Sequence, residues 1–284
     1  MIKSYKLRRV LSNILIYAIL LVLGLIWISP LVYLVLHSFR DEGLATVSYL
    51  IPKTYSFQNY IDLFTDTATL NFPRWFMNTF VVAVFSCIIS TLAVLMVSYS
   101  FSRLRFKARK PLINIGMILG MFPGFMTMIA IYYLLKAMGL TQSLVALVIC
   151  YSAGAGLGYQ ISKGFFDTIP RALDEAATID GATRNQIFWK IILPMSKPIV
   201  VYTVLTSFIG PWTDFILAKI IMGDARDNYT IAIGLQTMVS LEFKVNYFKR
   251  FLAGSVLVAV PISILFLFMQ RYYVEGVTAG GVKG

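Results

Sequence analysis

Charged residues are missing from most of this chain, and that absence limits its fold more than any other feature. No Asp, Glu, Lys or Arg interrupts the runs Ser12 to Leu36, Arg74 to Arg103, Lys110 to Lys136, Lys136 to Lys163, or Arg250 to Arg271. Each run reaches about 20 residues, the length at which an α-helix crosses a hydrocarbon core. A further apolar run follows Lys197 and fades near Lys219, with Asp214 inside it. The expectation is an all-α, polytopic membrane protein with six transmembrane helices, near 12–36, 75–101, 111–135, 140–162, 198–219 and 251–270, in a single domain over 1–284. Composition agrees: 58% of the 284 residues are hydrophobic and 13% charged, where a soluble domain carries about 25% charged. Lys3, Lys6, Arg8 and Arg9 resemble the start of a signal peptide. The apolar stretch behind them is too long and lacks a small-x-small cleavage site, so it reads as an uncleaved span.

The net charge of +12 does not describe a nucleic-acid surface, because the basic residues alternate with apolar spans rather than forming one face. Their placement speaks instead to orientation. Segments on the N-terminal side of the membrane carry 16 of the 25 Lys and Arg, clustered at Lys3–Arg9, Arg103–Lys110, Lys163–Lys197 and Arg271–Lys283. Basic loops stay on the cytoplasmic side, so both termini are expected there. Cys87 and Cys150 lie within apolar runs, without the spacing of a disulfide or metal framework. His37 stands alone beyond the first run and reads as a polar interface residue. No metal site and no catalytic residues are expected. The chain has no G-x-x-x-x-G-K-S/T loop for ATP, no H-E-x-x-H and no nucleophile elbow.

The cytoplasmic segment 167–197 has the grammar of two short helices joined by a bend. Pro170 suits a helix start, and Leu173, Ala176 and Ala177 recur at helical spacing. Gly181 suits the left-handed close of a helix. Thr183 and Gln186 match a capping box opening the next one, whose apolar face is Ile187, Phe188, Ile191 and Ile192. An amphipathic connector lying on lipid headgroups favours Lys and Arg on its polar face; this one leads with Asp174, Glu175 and Asp180.

These residues carry a resemblance. Glu175-Ala176-Ala177, then three residues, Gly181, nine residues and Ile191-Ile192-Leu193-Pro194 resemble the EAA loop of binding-protein-dependent ABC importers. The similarity extends to the smaller permease of the maltose/maltodextrin branch, through the tail Glu275–Gly284 and through Ile51-Pro52, Phe57 and Asn59-Tyr60. The resemblance implies a permease in a bacterial inner or plasma membrane. It would pair with a second, homologous permease, two ATPase subunits and an extracellular or periplasmic sugar-binding protein. ATP and Mg would sit on the partner ATPase, with no cofactor on this chain. By the same resemblance, Asp174, Glu175, Ala176, Ala177, Asp180, Gly181 and Phe188 couple to the ATPase. Thr278, Gly280, Gly281 and Lys283 in the tail 271–284 contact it too. Asn228, Tyr229 and Thr230 face the binding protein. The substrate would be an oligosaccharide, maltose or maltodextrin first, with galacto-oligosaccharide or raffinose types as the alternative.

Ionisable residues inside a membrane are functional candidates. Asp214, in Gly210-Pro211-Trp212-Thr213-Asp214, has three readings: it hydrogen-bonds sugar hydroxyls, holds a partner helix, or sits at the outer boundary. Trp212 either stacks on a sugar ring or anchors at the interface. The run Ser152–Gly158, rich in small residues, reads either as a helix-packing surface or as an unwound segment lining a cavity. An ion-coupled secondary transporter is the competing class, and a single embedded acid with no obvious internal repeat disfavours it.

Overall fold

The computed structural model describes residues 5–42, 51–155, 158–240 and 244–281, with side chains for 8–42, 51–154, 158–240 and 247–272. Helices α1 (Tyr5–Ser38), α2 (Gln58–Thr65) and α3 (Phe72–Arg103) come first, followed by α4 (Arg109–Gly120), α5 (Gly124–Ala137), α6 (Leu144–Ala155) and α7 (Tyr159–Thr168). The segment after α7 forms α8 (Ala172–Ile179), α9 (Arg184–Ile187), a π-helical turn (Phe188–Ile192) and α10 (Leu193–Met195). Then come α11 (Lys197–Thr213), α12 (Ile216–Met222), α13 (Ile231–Met238) and α14 (Lys244–Gly281). No strand occurs among the described residues, as the hydropathy pattern requires.

Three helices are long and apolar enough to cross a membrane unbroken: Arg8–Ser38 within α1, α3 itself, and Tyr247–Tyr272 within α14. Three more spans qualify only as bent pairs: α4 with α5 at 102°, α6 with α7 at 41°, and Arg184–Met195 with α11 at 85°. Among the described residues the count is three, or the expected six if each bent pair is one span, and three of the expected runs are interrupted. The span expected at 111–135 breaks at Met121–Pro123, where proline cannot donate to the preceding turn and its ring crowds that turn's carbonyl. The span expected at 140–162 is divided, with α7 running on to Thr168. The span expected at 198–219 stops at Thr213, because Asp214 turns extended (φ −80°, ψ 113°). The chain resumes as α12 with Leu217 N–H donating to Asp214 Oδ1 at 3.1 Å.

The chain divides into two compact units where the sequence suggests one domain: residues 1–70 with 237–257, and 71–236 with 258–284. In the first, the segment after α1 is ordered by buried polar groups. Asn59 Nδ2 donates to the carbonyls of Ser38 and Arg40 at 2.9 and 2.8 Å, fixing α2 against the end of α1. Arg250 at the start of α14 pairs with Asp62 and Asp66 of α2 at 3.0 and 2.6 Å. His37 is buried with Tyr33 stacked on its ring and Arg40 Nη1 3.1 Å from its Nδ1.

In the second unit α3 is the central post, packed against α6, α7 and α11. Its N-terminal end holds the segment after α12. Trp75 Nε1 donates to Arg226 O at 2.9 Å, Asn78 Nδ2 to Asp227 O and Tyr229 O at 2.9 and 3.0 Å, and Thr79 Oγ1 accepts from Ile231 N at 2.7 Å. Gly234 lies so close beneath Trp75 that a Cβ there would sit 2.1 Å from the indole ring. Only glycine permits that approach.

Candidate functional site: the helical knob and its anchor

The segment 172–195 folds as a knob with an inner and an outer side. Helix α8 begins at Ala172 with Arg171 at its N-cap, so Pro170 stands one residue before the cap rather than in the first turn. Gly181 has φ +79°, a conformation costly to any residue carrying a Cβ. The Thr183–Gln186 capping box then forms, with Gln186 N donating to Thr183 Oγ1 at 3.3 Å and Thr183 N to Gln186 Oε1 at 2.8 Å. The π-helical turn comes just before Pro194. Leu193 N–H bonds to Phe188 O, five residues back, which widens the helix where a proline would otherwise collide with the carbonyl four residues earlier.

The inner side is an apolar cluster of Leu95 and Tyr99 from α3, Phe166, Ile169, Ala177, Ile187, Phe188, Ile192 and Ile199. Tyr99 and Phe188 rings lie 4.8 Å apart. Beside this cluster Arg103, the last residue of α3, is only 4% exposed and bonds Asp174 Oδ2 through Nη1 at 2.9 Å. Its Nη2 donates to the carbonyls of Phe166 and Ile169 at 2.5 and 2.7 Å, adding to the bond that Ile169 N–H makes to Phe166 O at the end of α7. Further ties run from Ser102 Oγ to Asp167 Oδ1 at 2.6 Å and from Tyr99 OH to Arg184 O at 3.3 Å.

This geometry sorts the seven knob residues singled out from sequence. Asp174, Ala177 and Phe188 point inward: Asp174 is held by Arg103, while Ala177 and Phe188 are 8% and 5% exposed in the cluster. They anchor the knob rather than form its free surface. Glu175, Ala176, Asp180 and Gly181 are exposed. Ile179, which the sequence reading left out, is 86% exposed beside them, and a cavity of about 450 Å³ opens next to it, lined by Arg103, Arg171, Glu175 and Ile179 among others. Arg103 was missed because its role depends on a contact 71 residues away. Ile179 was legible as an apolar residue on a short exposed helix.

The other site residues fall as follows. Asp214 accepts a hydrogen bond from Tyr151 OH of α6 at 2.8 Å. Trp212 is 3% exposed, with Phe76 edge-on at 5.1 Å and Phe208 at 6.0 Å. Its ring leaves no face for a sugar, which corrects the stacking reading. Of the three residues expected to face a binding protein, Tyr229 and Thr230 are buried at 5% and 0%, where Asn78 and Thr79 of α3 hold Tyr229 O and Ile231 N–H; Asn228 is half-buried and donates to Gln142 O at 2.7 Å. In the tail, Thr278, Gly280 and Gly281 lie in α14 but their side chains fall outside the described residues, as does Lys283 altogether. Among the described residues no group of His, Cys, Asp or Glu is arranged to hold a metal ion.

Residues 89–278 match the family described as binding-protein-dependent transport system inner membrane component. The chain belongs to this family. It is 34% identical to the galactooligosaccharides transport system permease protein GanQ of Bacillus subtilis (strain 168), over 100% of both chains. To the maltodextrin transport system permease protein MalD of Streptococcus pneumoniae (strain ATCC BAA-255 / R6) it is 33% identical, over 99% of each. Its fold matches the crystal structure of a bacterial ABC transporter involved in the import of the acidic polysaccharide alginate, with a TM-score of 0.78 at 20% identity, covering 96% of this chain and 99% of that one. The permease is therefore a multi-pass membrane protein, and its curated relatives are transport subunits rather than enzymes.

Proposed function

We propose that this chain is the transmembrane permease subunit of an ATP-driven importer of oligosaccharides, maltodextrin first among them. Similarity along the whole chain to a maltodextrin permease carries the reading. The equally extensive similarity to a galactooligosaccharides permease supports that class as the second substrate to test. The chain works with a second, homologous permease, two ATPase subunits that bind ATP and Mg, and a sugar-binding protein outside the cell membrane. Its termini and the knob face the cytoplasm, and the exposed apolar side chains along α1, such as Trp27 at 80% exposure, meet lipid and the second permease.

In this mechanism the exposed edge of the knob, Glu175, Ala176, Ile179, Asp180 and Gly181, seats in the ATPase. Asp174, Ala177 and Phe188 carry its movement into α3 through Arg103 and Tyr99. Closure of the ATPase pair on ATP then shifts the permease between inward-open and outward-open states, a bias of a few kcal/mol through unequal contacts in the two states. The tail residues Thr278 to Lys283 make a second contact with the ATPase, and Asn228 meets the binding protein. The test is uptake of labelled maltotriose and galactotriose by proteoliposomes holding the complete transporter. Uptake is expected to require ATP inside and to persist with a protonophore. Uptake that ignores ATP and collapses with the protonophore would overturn the reading in favour of ion coupling.

A further inference from the structure

A second cavity, of about 340 Å³, lies inside the second unit between α3, α6, α7 and α11. Its walls include Ser90, Tyr151, Tyr202, Thr203, Thr206 and Ser207. Gly154 and Gly158 line it too. No charged side chain lines the cavity among the described residues.

What sets its chemistry is where the hydroxyl hydrogens go. Tyr151 OH donates to Asp214 Oδ2 at 2.8 Å. Thr203 Oγ1 is 2.8 Å from Ile199 O, Thr206 Oγ1 2.9 Å from Tyr202 O, and Ser90 Oγ 3.4 Å from Tyr151 O, each donating to a helix carbonyl. A hydroxyl has one hydrogen and two lone pairs. With their hydrogens committed, these four groups present lone pairs to whatever enters. Asp214 is itself held by Leu217 N–H through Oδ1 at 3.1 Å, so it keeps the Tyr151 phenol turned one way.

Four hydroxyls fixed as acceptors, with no cation in the lining, suit a ligand that arrives with donors and no negative charge. A neutral sugar brings hydroxyl hydrogens and shallow apolar ring faces, the latter matched by Tyr151 and Tyr202. A uronate brings a carboxylate that would lose water and find neither a cation nor a free donor among these four groups, which is costly. We infer that this cavity is a contact site for neutral saccharides on the translocation path, with Tyr151 touching the sugar and Asp214 acting as a positioning residue that fixes Tyr151 as an acceptor. The inference rests on the oligosaccharide-permease reading and adds to it a site and a charge preference.

The experiment uses the complete transporter carrying Ser207→Cys, with Cys87 and Cys150 replaced by serine, and follows labelling by a hydrophilic thiol reagent before the binding protein is added. Maltotriose or galactotriose is expected to slow labelling several-fold, while trigalacturonate leaves it unchanged. Adding Tyr151→Phe should abolish that protection and lower the sugars moved per ATP about tenfold, the equivalent of one hydrogen bond. Asp214→Asn should weaken protection by the neutral sugars and narrow their advantage over trigalacturonate, since an amide can also turn its NH2 to the phenol oxygen and so no longer holds the phenol hydrogen in one direction. Equal protection by the uronate, or protection and sugar-to-ATP ratio both untouched by Tyr151→Phe, would overturn the inference. So would absence of protection in a transporter that does import either sugar. A transporter that imports neither sugar would instead refute the oligosaccharide reading on which this one rests.

Discussion

Single residues in this chain do work that their surroundings in sequence do not announce. Arg103 is the clearest: it ends a long apolar helix, where a basic residue ordinarily reads as a membrane-boundary charge. Folding closes its guanidinium over Asp174 and two backbone carbonyls, so three parts of the chain meet at one buried cation. Removing one member of a buried pair strands the other. Arg103→Gln is therefore expected to destabilise the permease, at the lower end of the roughly 3–5 kcal/mol typical of such pairs, because Asp174 keeps 22% exposure. A lowered unfolding midpoint of the assembled transporter, together with ATP turnover that no longer moves sugar, is the expected result. An unchanged midpoint would show that the pair contributes nothing.

At the scale of elements, the knob was the most legible part of the molecule. Its bend and second cap follow from local rules, since Gly181 and the Thr183–Gln186 box act within a few residues of themselves. The π-helical turn was not legible, because it answers a clash between Pro194 and the preceding helix that appears only once that helix is built. The direction of Asp174 and Phe188 was hidden for another reason: a motif gives spacing, while burial depends on α3. Six apolar runs were likewise plain, yet the breaks at Pro123 and Asp214 depend on how single residues end a helix within a run that hydropathy counts as continuous. The bend makes its own prediction. At φ +79° Asn is tolerated where β-branched residues are not, and a Cβ at Gly181 meets no atom of this chain within 4 Å. Gly181→Asn should fold and Gly181→Val should lose about 1–2 kcal/mol in the bend. Proteolysis of the knob would read the difference, with equal cleavage rates counting against the backbone explanation.

For the whole molecule the governing quantity is the distribution of charge across the membrane. The proposed orientation puts the clusters around Arg105–Lys110 and Lys163–Lys197 on the cytoplasmic side with the knob, and the segment holding Asp224 outside. In a cysteine-free background, Lys107→Cys is expected to react with a membrane-impermeant thiol reagent only in inverted vesicles, and Asp224→Cys only in intact cells. The reverse pattern would invert the orientation and remove the knob from the ATPase.

Helix α3 has a consequence for timing. It runs 32 residues with its only proline in the first turn, a length of about 48 Å. One end grips the knob through Tyr99 and Arg103; the other grips the segment after α12 through Trp75, Asn78 and Thr79. A rod without a joint has no slack in which to store a displacement. On the proposed function, events at the ATPase and at the binding protein are expected to be synchronised through α3, and a delay between them would have to arise in some other helix.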